Sequence, residues 1–457
     1  HMNTNQDSVS EQLARWIAEI RYEDLPVAAV HHAKRCLLDF LGVTLAGSAS
    51  GLARSVRLYL ADTDCAGRAL VIGTGLRLSP AAATLANGTA AAVLELDDGH
   101  ARATIHPGAT CIPALLAMAE ARNATTRDIL LAVAVAYEVS SRLGVLICNG
   151  SAARGFHCTP LVGVLGAAAG ASKILGSDAC AIANAFGIAG SNAGGLFDYH
   201  GGWLNAWAVN AGRAGREGLL SASLPHYGVG GPLDIFEGPN GFLNAFAGSV
   251  TDLGSLQHAL GDEWIMLDTA VKVYPCCRRL HPVIDAVMEL KKRSIDHDTV
   301  EQIVVETSAV SARLDRMAFD SVSAAQMSIP YGAAITLLSG EPTLESFGAA
   351  ARGDARLRRL AEKVEVRVAD DPAIADPGRF VARVSLTAAG ETLQATIMAA
   401  KGDPANPISD ELLEAKFRDL ADPVLGSEMS KRIAADVWRF GYADEVLSIV
   451  AQLSPAA

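Results

Sequence analysis

Between Leu94 and Gly108 the chain reads LELDDGHARATIHPG. Two adjacent carboxylates (Asp97, Asp98), a third at Glu95 and two imidazoles (His100, His106) share a segment with Gly99, Pro107 and Gly108. Histidine exchanges protons near neutrality because its unperturbed pKa is about 6.5, and a neighbouring carboxylate orients the ring and stabilises its charged form. Such a set suits general acid–base chemistry. Both flanks, TLANGTAAAV and ATCIPALLAMAEA, are apolar and rich in small residues, and read as buried helices. Unpaired charge is costly to bury, so a polar cluster where two core helices end must be satisfied or used. It is the first candidate for an active site. Asp97, Asp98, His100 and His106 are also potential metal ligands, but the segment has no HxxxH or HxH spacing, so no metal is expected. A capping role for Asp97-Asp98 stays open, and His100 is expected in solvent.

The elements that must hold this segment come from local signals. Ser8-Val9-Ser10-Glu11 has the form of a capping box, followed by Leu13, Trp16, Ile17 and Ile20 at helical spacing. A second helix begins near Leu25-Pro26 and runs towards Gly47. RALVIG (68–73) reads as a minor strand, and Ser79-Pro80 starts the helix that delivers the acidic segment. From Ile112 to about Leu220 the pattern is helical and apolar around most of each circumference, which places these helices in a core. Two irregular polar connections interrupt it: CNGSAARGFHCTP, carrying His157, and GGLFDYHGGWLNAWAVNAG, carrying Trp203 and Trp207. Functional side chains favour such loops; the two tryptophans read as pocket wall or dimer contact.

After about Trp264 the texture changes. EQIVVETSAV, KVEVRVA, RFVARVSLTA and ETLQATIMAA alternate like strands, the last two joined across Ala388-Ala389-Gly390 as a hairpin. Helical patterns start at Pro282 and after Ser328-Ile329-Pro330, and Ser409 caps a return to helix. The expected fold is mainly α: a large helical domain made of residues 1–267 together with 402–457, and a smaller α+β domain over 268–401.

At 457 residues two domains are the default, and 50% apolar against 19% charged residues fits close-packed helices. A formal net charge of −12 argues against nucleic acid as partner and leaves room for a locally basic pocket. No apolar run is read as reaching the ~18–20 residues of a membrane span, and no signal peptide is read; His1-Met2 is set aside as a remnant of tag removal. The eight cysteines show no CxxC and no regular spacing, which reads as free thiols in a cytoplasmic protein. Cys276 and Cys277 read as packing residues.

Five segments, in order, resemble the MmgE/PrpD family, which includes 2-methylcitrate dehydratase, cis-aconitate decarboxylase and iminodisuccinate epimerase. They are ELDDGHARATIHPG (95–108), GFHCTP (155–160), KVYPCC followed by His281, SIPYGAA (328–334) and GDPANPIS before a terminal helix. The likeness spans nearly the whole chain. It implies a large helical domain with a smaller α+β lid, a cofactor-free site between them, and a homodimer. Carried over by position, His106, His157 and the acidic pair Asp97-Asp98 line the pocket, with Glu95 where many members have Asp. Lys272, His281 and Tyr331 match the lid side, although Tyr331 near the start of an apolar helix would be core by default and Lys272 could lie on the surface beside a strand. One departure stands out: the family places a Lys before a Gly-rich helix start, and here alignment gives Asn205 or Trp207.

Dehydration, decarboxylation and epimerisation beside a carboxylate all build charge on the carbon next to an acid group. A base near neutrality, donors around the developing enolate and a second acid meet that need. The expected catalytic set is Asp97, His106, His157, His281 and Tyr331. Glu95, Lys272 and Arg278 (or Arg279 in place of Arg278) bind a small anionic substrate, and closing the lid expels water. The reading is a cofactor-independent lyase, with an isomerase or epimerase, or a non-catalytic member lacking the family lysine, as alternatives.

Overall fold

A computed structural model describes residues 7–196, 206–248, 252–317, 319–442 and 449–455. Hydrophobic side chains gather in two main cores. The first draws on residues 13–271 and again on 408–453; the second lies within 274–395.

The first core is built from α1 (Val9–Glu19), α2 (Val27–Ser48), α3 (Gly51–Thr63), α4 (Pro80–Ala92), α5 (Pro107–Arg122), α6 (Thr126–Ala153), α7 (Cys158–Leu175), α8 (Ala179–Ser191) and α9 (Ala206–Ser223). Their starts follow local chemistry. Ser8 and Glu11 close a capping box on α1, Ser79 caps α4 with Pro80 in its first turn, and Thr125 and Asp128 close a capping box on α6. RALVIG contributes strand β1 (Ala66–Leu70), paired antiparallel with β2 (Arg77–Leu78). After the second core the chain returns as α12 (Asp410–Leu425) and α13 (Ser427–Arg439), which place Leu413, Phe417, Leu420 and Ile433 in the first core.

Small residues let these helices meet at backbone distance. A Cβ on Gly88 of α4 would lie 2.6 Å from the Gly212 Cα of α9, and one on Gly212 would lie 2.3 Å from the Leu85 carbonyl. Gly212→Ala should therefore destabilise the protein by about 1–3 kcal/mol, because the clash is with backbone and exceeds the ~1 kcal/mol that alanine contributes as a better helix former. Urea unfolding monitored by circular dichroism measures it.

Helices α6 and α7 are long and apolar enough, by length and composition, to cross a membrane, and the bent pair α2–α3 passes the same test together. That corrects the expectation that no apolar run reaches span length. In this fold 89% and 83% of the most apolar stretches of α6 and α7 are buried against other parts of the chain.

The second core lies under a four-stranded sheet in the order β6-β5-β7-β8: β5 (Val300–Thr307), β6 (Val364–Val368), β7 (Ala382–Ala388) and β8 (Glu391–Ile397). β5 runs parallel to β6 and antiparallel to β7, and β7–β8 form the hairpin through Ala389 and Gly390. Val300, Ile303, Val305, Val384 and Leu386 point inward against α10 (His281–Lys291) and α11 (Ile329–Ser339).

Two short features join the cores at the acidic segment. Strand β3 (Gly99–His100) pairs with β4 (Thr269–Ala270), so the chain enters the second core beside Asp97 and delivers Lys272 there. The Val271 amide donates to the Gly402 carbonyl at 3.0 Å, which sets the outgoing and returning crossings side by side.

Candidate active site

The segment between α4 and α5 is held from several sides. Glu95 adopts a left-handed backbone conformation (φ 54°), which a non-glycine residue enters at a cost, and such strain gathers at functional sites. Lys272 Nζ holds it there, donating to the Glu95 carbonyl at 3.1 Å and to Glu95 Oε2 at 2.9 Å. The same ammonium lies 3.6 Å from Asp97 Oδ1. All three groups are buried. Burial works against the Glu95 carboxylate, but the Lys272 and His106 charges outweigh it and hold its pKa below the usual value. Burial likewise opposes the Lys272 ammonium, and Glu95 and Asp97 reverse this and raise its pKa. Asp97 goes up: its burial exceeds the help it receives from His106 and Lys272.

His106 caps the start of α5, with Pro107 in the first turn, and its amide donates to Thr159 Oγ1 of α7 at 3.2 Å. Its ring Nδ1 lies 2.7 Å from the Asp98 carbonyl. A carbonyl only accepts, so Nδ1 carries a proton. Asp97 Oδ2 is 3.6 Å from the same nitrogen. In the neutral ring the lone pair is therefore on Nε2, which makes no hydrogen bond among the described residues. The side chain is 28% exposed, the most open group of the cluster.

Asp98 turns the other way. Its Oδ1 accepts from the Gly108 amide at 3.0 Å and its Oδ2 from the Tyr137 hydroxyl of α6 at 2.6 Å. Burial, only partly offset by the Tyr137 bond and reinforced by Asp39 and Asp97, pushes its pKa up to about 7. The folded protein thus keeps this proton while the unfolded chain releases it near pH 4, so folding stability falls as pH rises from about 4 to about 7 and is level above. Asp98→Asn should flatten that slope, which is at most about 1.4 kcal/mol per pH unit. Chemical unfolding at a series of pH values reads it directly. Asp39 is in turn held by Lys416 of α12, whose Nζ bonds Asp39 Oδ1 at 2.6 Å and the Leu96 carbonyl at 3.0 Å.

His157 caps α7, and its amide donates to the Gly195 carbonyl at 3.0 Å. Enclosure of the ring and the nearby His106 charge lower its pKa to about 3, against a smaller opposing effect of Glu95. At neutral pH it is an uncharged imidazole able to donate or accept a hydrogen bond.

Five of the residues expected at the site are thus brought together: Glu95, Asp97, His106, His157 and Lys272. Three are placed otherwise. Tyr331 lies at the centre of the second core between Phe319 and Phe347, and its hydroxyl donates to the Ser346 carbonyl at 2.7 Å. The apolar run that follows it draws it inward. His281 is fully buried, and its Nδ1 accepts from Arg278 Nη1 at 3.1 Å. Burial and the Arg278 and Lys272 charges hold its pKa well below the normal range, so it is no cationic acid. Arg278 is committed to Asp403 at 3.1 Å and does not offer a free charge. Lys272 is not on the surface, and its charge goes to Glu95 and Asp97. His100 is buried rather than solvated, with Nε2 2.9 Å from the Ile265 carbonyl and Nδ1 accepting from the Ala103 amide. Trp207 is buried on α9, while Trp203 and Asn205 lie outside the described residues. Among the described residues no three His, Cys, Asp or Glu side chains converge to hold a metal ion, and all eight cysteines are free.

The N-terminal domain profile of MmgE/PrpD matches residues 11–252, and the C-terminal domain profile matches residues 274–439. The chain belongs to the MmgE/PrpD family. The cis-aconitate decarboxylase-like protein oryM of Aspergillus oryzae is 30% identical to it, over 99% of this chain and 98% of its own. The cis-aconitate decarboxylase of Mus musculus is 30% identical over 92% of this chain and 88% of its own. That of Aspergillus terreus is 26% identical over 74% of each. In this MmgE/PrpD member the C-terminal profile takes in α12 and α13, which pack on the first core; Lys416 is their contribution to the site. Tyr137 and Lys416 escaped the sequence reading because neither stands in a motif; Thr159 stands in GFHCTP, where the reading singled out only His157.

Proposed function

We propose that this protein is a cofactor-independent lyase that removes CO2 or water from a small polycarboxylate, with His106 Nε2 as the proton-transferring atom. The observation that carries this reading is the ring's orientation: Nδ1–H is fixed on the Asp98 carbonyl with Asp97 behind it. Proton uptake at Nε2 makes an imidazolium beside a cluster in which two carboxylates, Glu95 and Asp97, face one ammonium, Lys272. The imidazolium so formed has the Asp97 carboxylate 3.6 Å from its Nδ1 as a counter-charge.

In dehydration His106 takes the proton beside a carboxylate as hydroxide leaves with a proton from a second donor. In decarboxylation the C–C electron pair is left on carbon as CO2 departs, and the imidazolium returns a proton to that carbon. Neutral His157 serves as a hydrogen-bond donor to the developing charge in either case, and closure of the smaller domain excludes water. The names borne by the relatives favour CO2 loss, and the family favours a carboxylate as substrate.

The test is incubation with a panel of di- and tricarboxylates, cis-aconitate among them, in D2O, followed by NMR. A product lighter by CO2 or water, deuterated at the reacting carbon where a proton is returned, is expected. Deuterium uptake without loss of mass would make the protein an isomerase, and silence towards the whole panel would remove the reading.

A further inference from the structure

The cations assigned by sequence to substrate binding are spoken for, which turns attention to the one next in the chain. Lys272 is paired with Glu95 and Arg278 with Asp403; Lys416, which the sequence did not single out, is paired with Asp39. Arg279 has no such partner among the described residues. Its guanidinium lies over the Phe380 ring at 4.8 Å, and its Nη1 donates to Ser311 Oγ at 3.1 Å. A guanidinium has five N–H donors, and a largely enclosed one without an anion is costly.

Its place in the fold matters as much. Arg279 lies in the short turn Arg278–Leu280 that leads into α10. The preceding Cys277 amide donates to the Gln326 carbonyl, and Gln326 Nε2 donates to the Leu94 carbonyl at 3.0 Å, one residue before Glu95. The guanidinium charge bears on the thiols of Cys277 and of Cys148 on α6. Cys148 Sγ in turn contacts the Arg102 carbonyl at 3.4 Å, in the loop that ends at His106. Arg279 therefore lies in the turn where the second core meets the acidic segment, its guanidinium stacked on Phe380 with one N–H on Ser311.

We propose that Arg279 is the carboxylate anchor of the site, binding through its unused N–H groups a carboxylate of the substrate other than the one beside the reacting carbon. The assignment rests on the polycarboxylate-lyase reading. The planar fork of arginine matches a carboxylate, stacking on Phe380 limits its freedom, and substrate would supply the missing counter-charge.

Calorimetric titration of the full-length protein with propane-1,2,3-tricarboxylate, in wild type, Arg279→Gln and Arg279→Lys, tests it alongside steady-state kinetics on whichever panel member is converted. Arg279→Gln should raise Kd and KM roughly 10- to 100-fold, the loss expected for a charge-assisted hydrogen bond, with kcat within a few-fold. Arg279→Lys should lose less than tenfold, and the melting temperature of Arg279→Gln should equal or exceed that of wild type, since an uncompensated charge has been removed. Binding by Arg279→Gln as tight as wild type would overturn the anchor while leaving the lyase reading intact. Failure of Arg279→Gln to fold would also overturn it, because the charge would then have an internal structural role. A wild type that neither binds the tricarboxylate nor converts any panel member would remove the underlying reading instead.

Discussion

His106→Asn is expected to lower kcat by about 10²–10⁴-fold with KM within a few-fold of wild type, equivalent to about 3–5.5 kcal/mol of transition-state stabilisation. Asparagine is chosen because its side-chain amide can still donate to the Asp98 carbonyl, as Nδ1 does at 2.7 Å. What it lacks is an atom at the place of Nε2. Loop geometry is thereby kept while the proton acceptor is deleted. Steady-state kinetics with the converted carboxylate, alongside a melting curve, separates the two: the melting temperature should move little, since the His106 amide still bonds Thr159. A variant that retains more than a tenth of wild-type kcat would assign the proton transfer to another group.

Lys272→Met is expected to be the most destabilising single change at the site, costing about 3–5 kcal/mol, the range for removing one partner of a buried ion pair. The ammonium is wholly buried and serves two carboxylates and the carbonyl of a residue with left-handed backbone. Without it Glu95 and Asp97 confront each other in a dry environment, and both should hold protons well above their ordinary range. Stability of the variant should then fall as pH rises from about 4 through the elevated folded-state values, a slope that Glu95, held low by Lys272 in the wild type, does not contribute. Glu95→Gln added to Lys272→Met should recover part of the loss, because one of the two stranded charges goes with it. Urea unfolding at pH 5 and pH 8 of the single and double variants measures both effects. Equal stability of wild type and Lys272→Met at pH 8 would mean that the pair contributes nothing net.

Much of the architecture is written in short-range signals. Ser8, Ser79-Pro80, Ser328 and Ser409 all cap the helices their neighbours announce, and the period-2 runs at 300–307 and 382–397 are strands. The acidic segment was legible for a related reason: a dense set of charges between apolar helices has few structural excuses. Pairing between distant residues was not legible. Nothing local says that Lys272 meets Glu95 and that Arg278 meets Asp403 while Arg279 meets no carboxylate among the described residues, since Arg278 and Arg279 are adjacent and differ only in the direction a turn gives them. His100 and His106 share a loop, yet the β3–β4 pairing buries one and the start of α5 leaves the other partly open. For Tyr331 the motif points to the site and the apolar helix it begins points to the core, and the structure places it in the second core.

The most direct test of the central claim is the tautomer of the His106 ring, read by 15N NMR on protein labelled at histidine nitrogens, with His106→Asn identifying the signal. The geometry predicts that the neutral ring carries its proton on Nδ1, coupled across a hydrogen bond to the Asp98 carbonyl, with an unprotonated Nε2. A neutral ring protonated on Nε2 would set the Nδ1 lone pair against the Asp98 carbonyl 2.7 Å away, and would contradict the account.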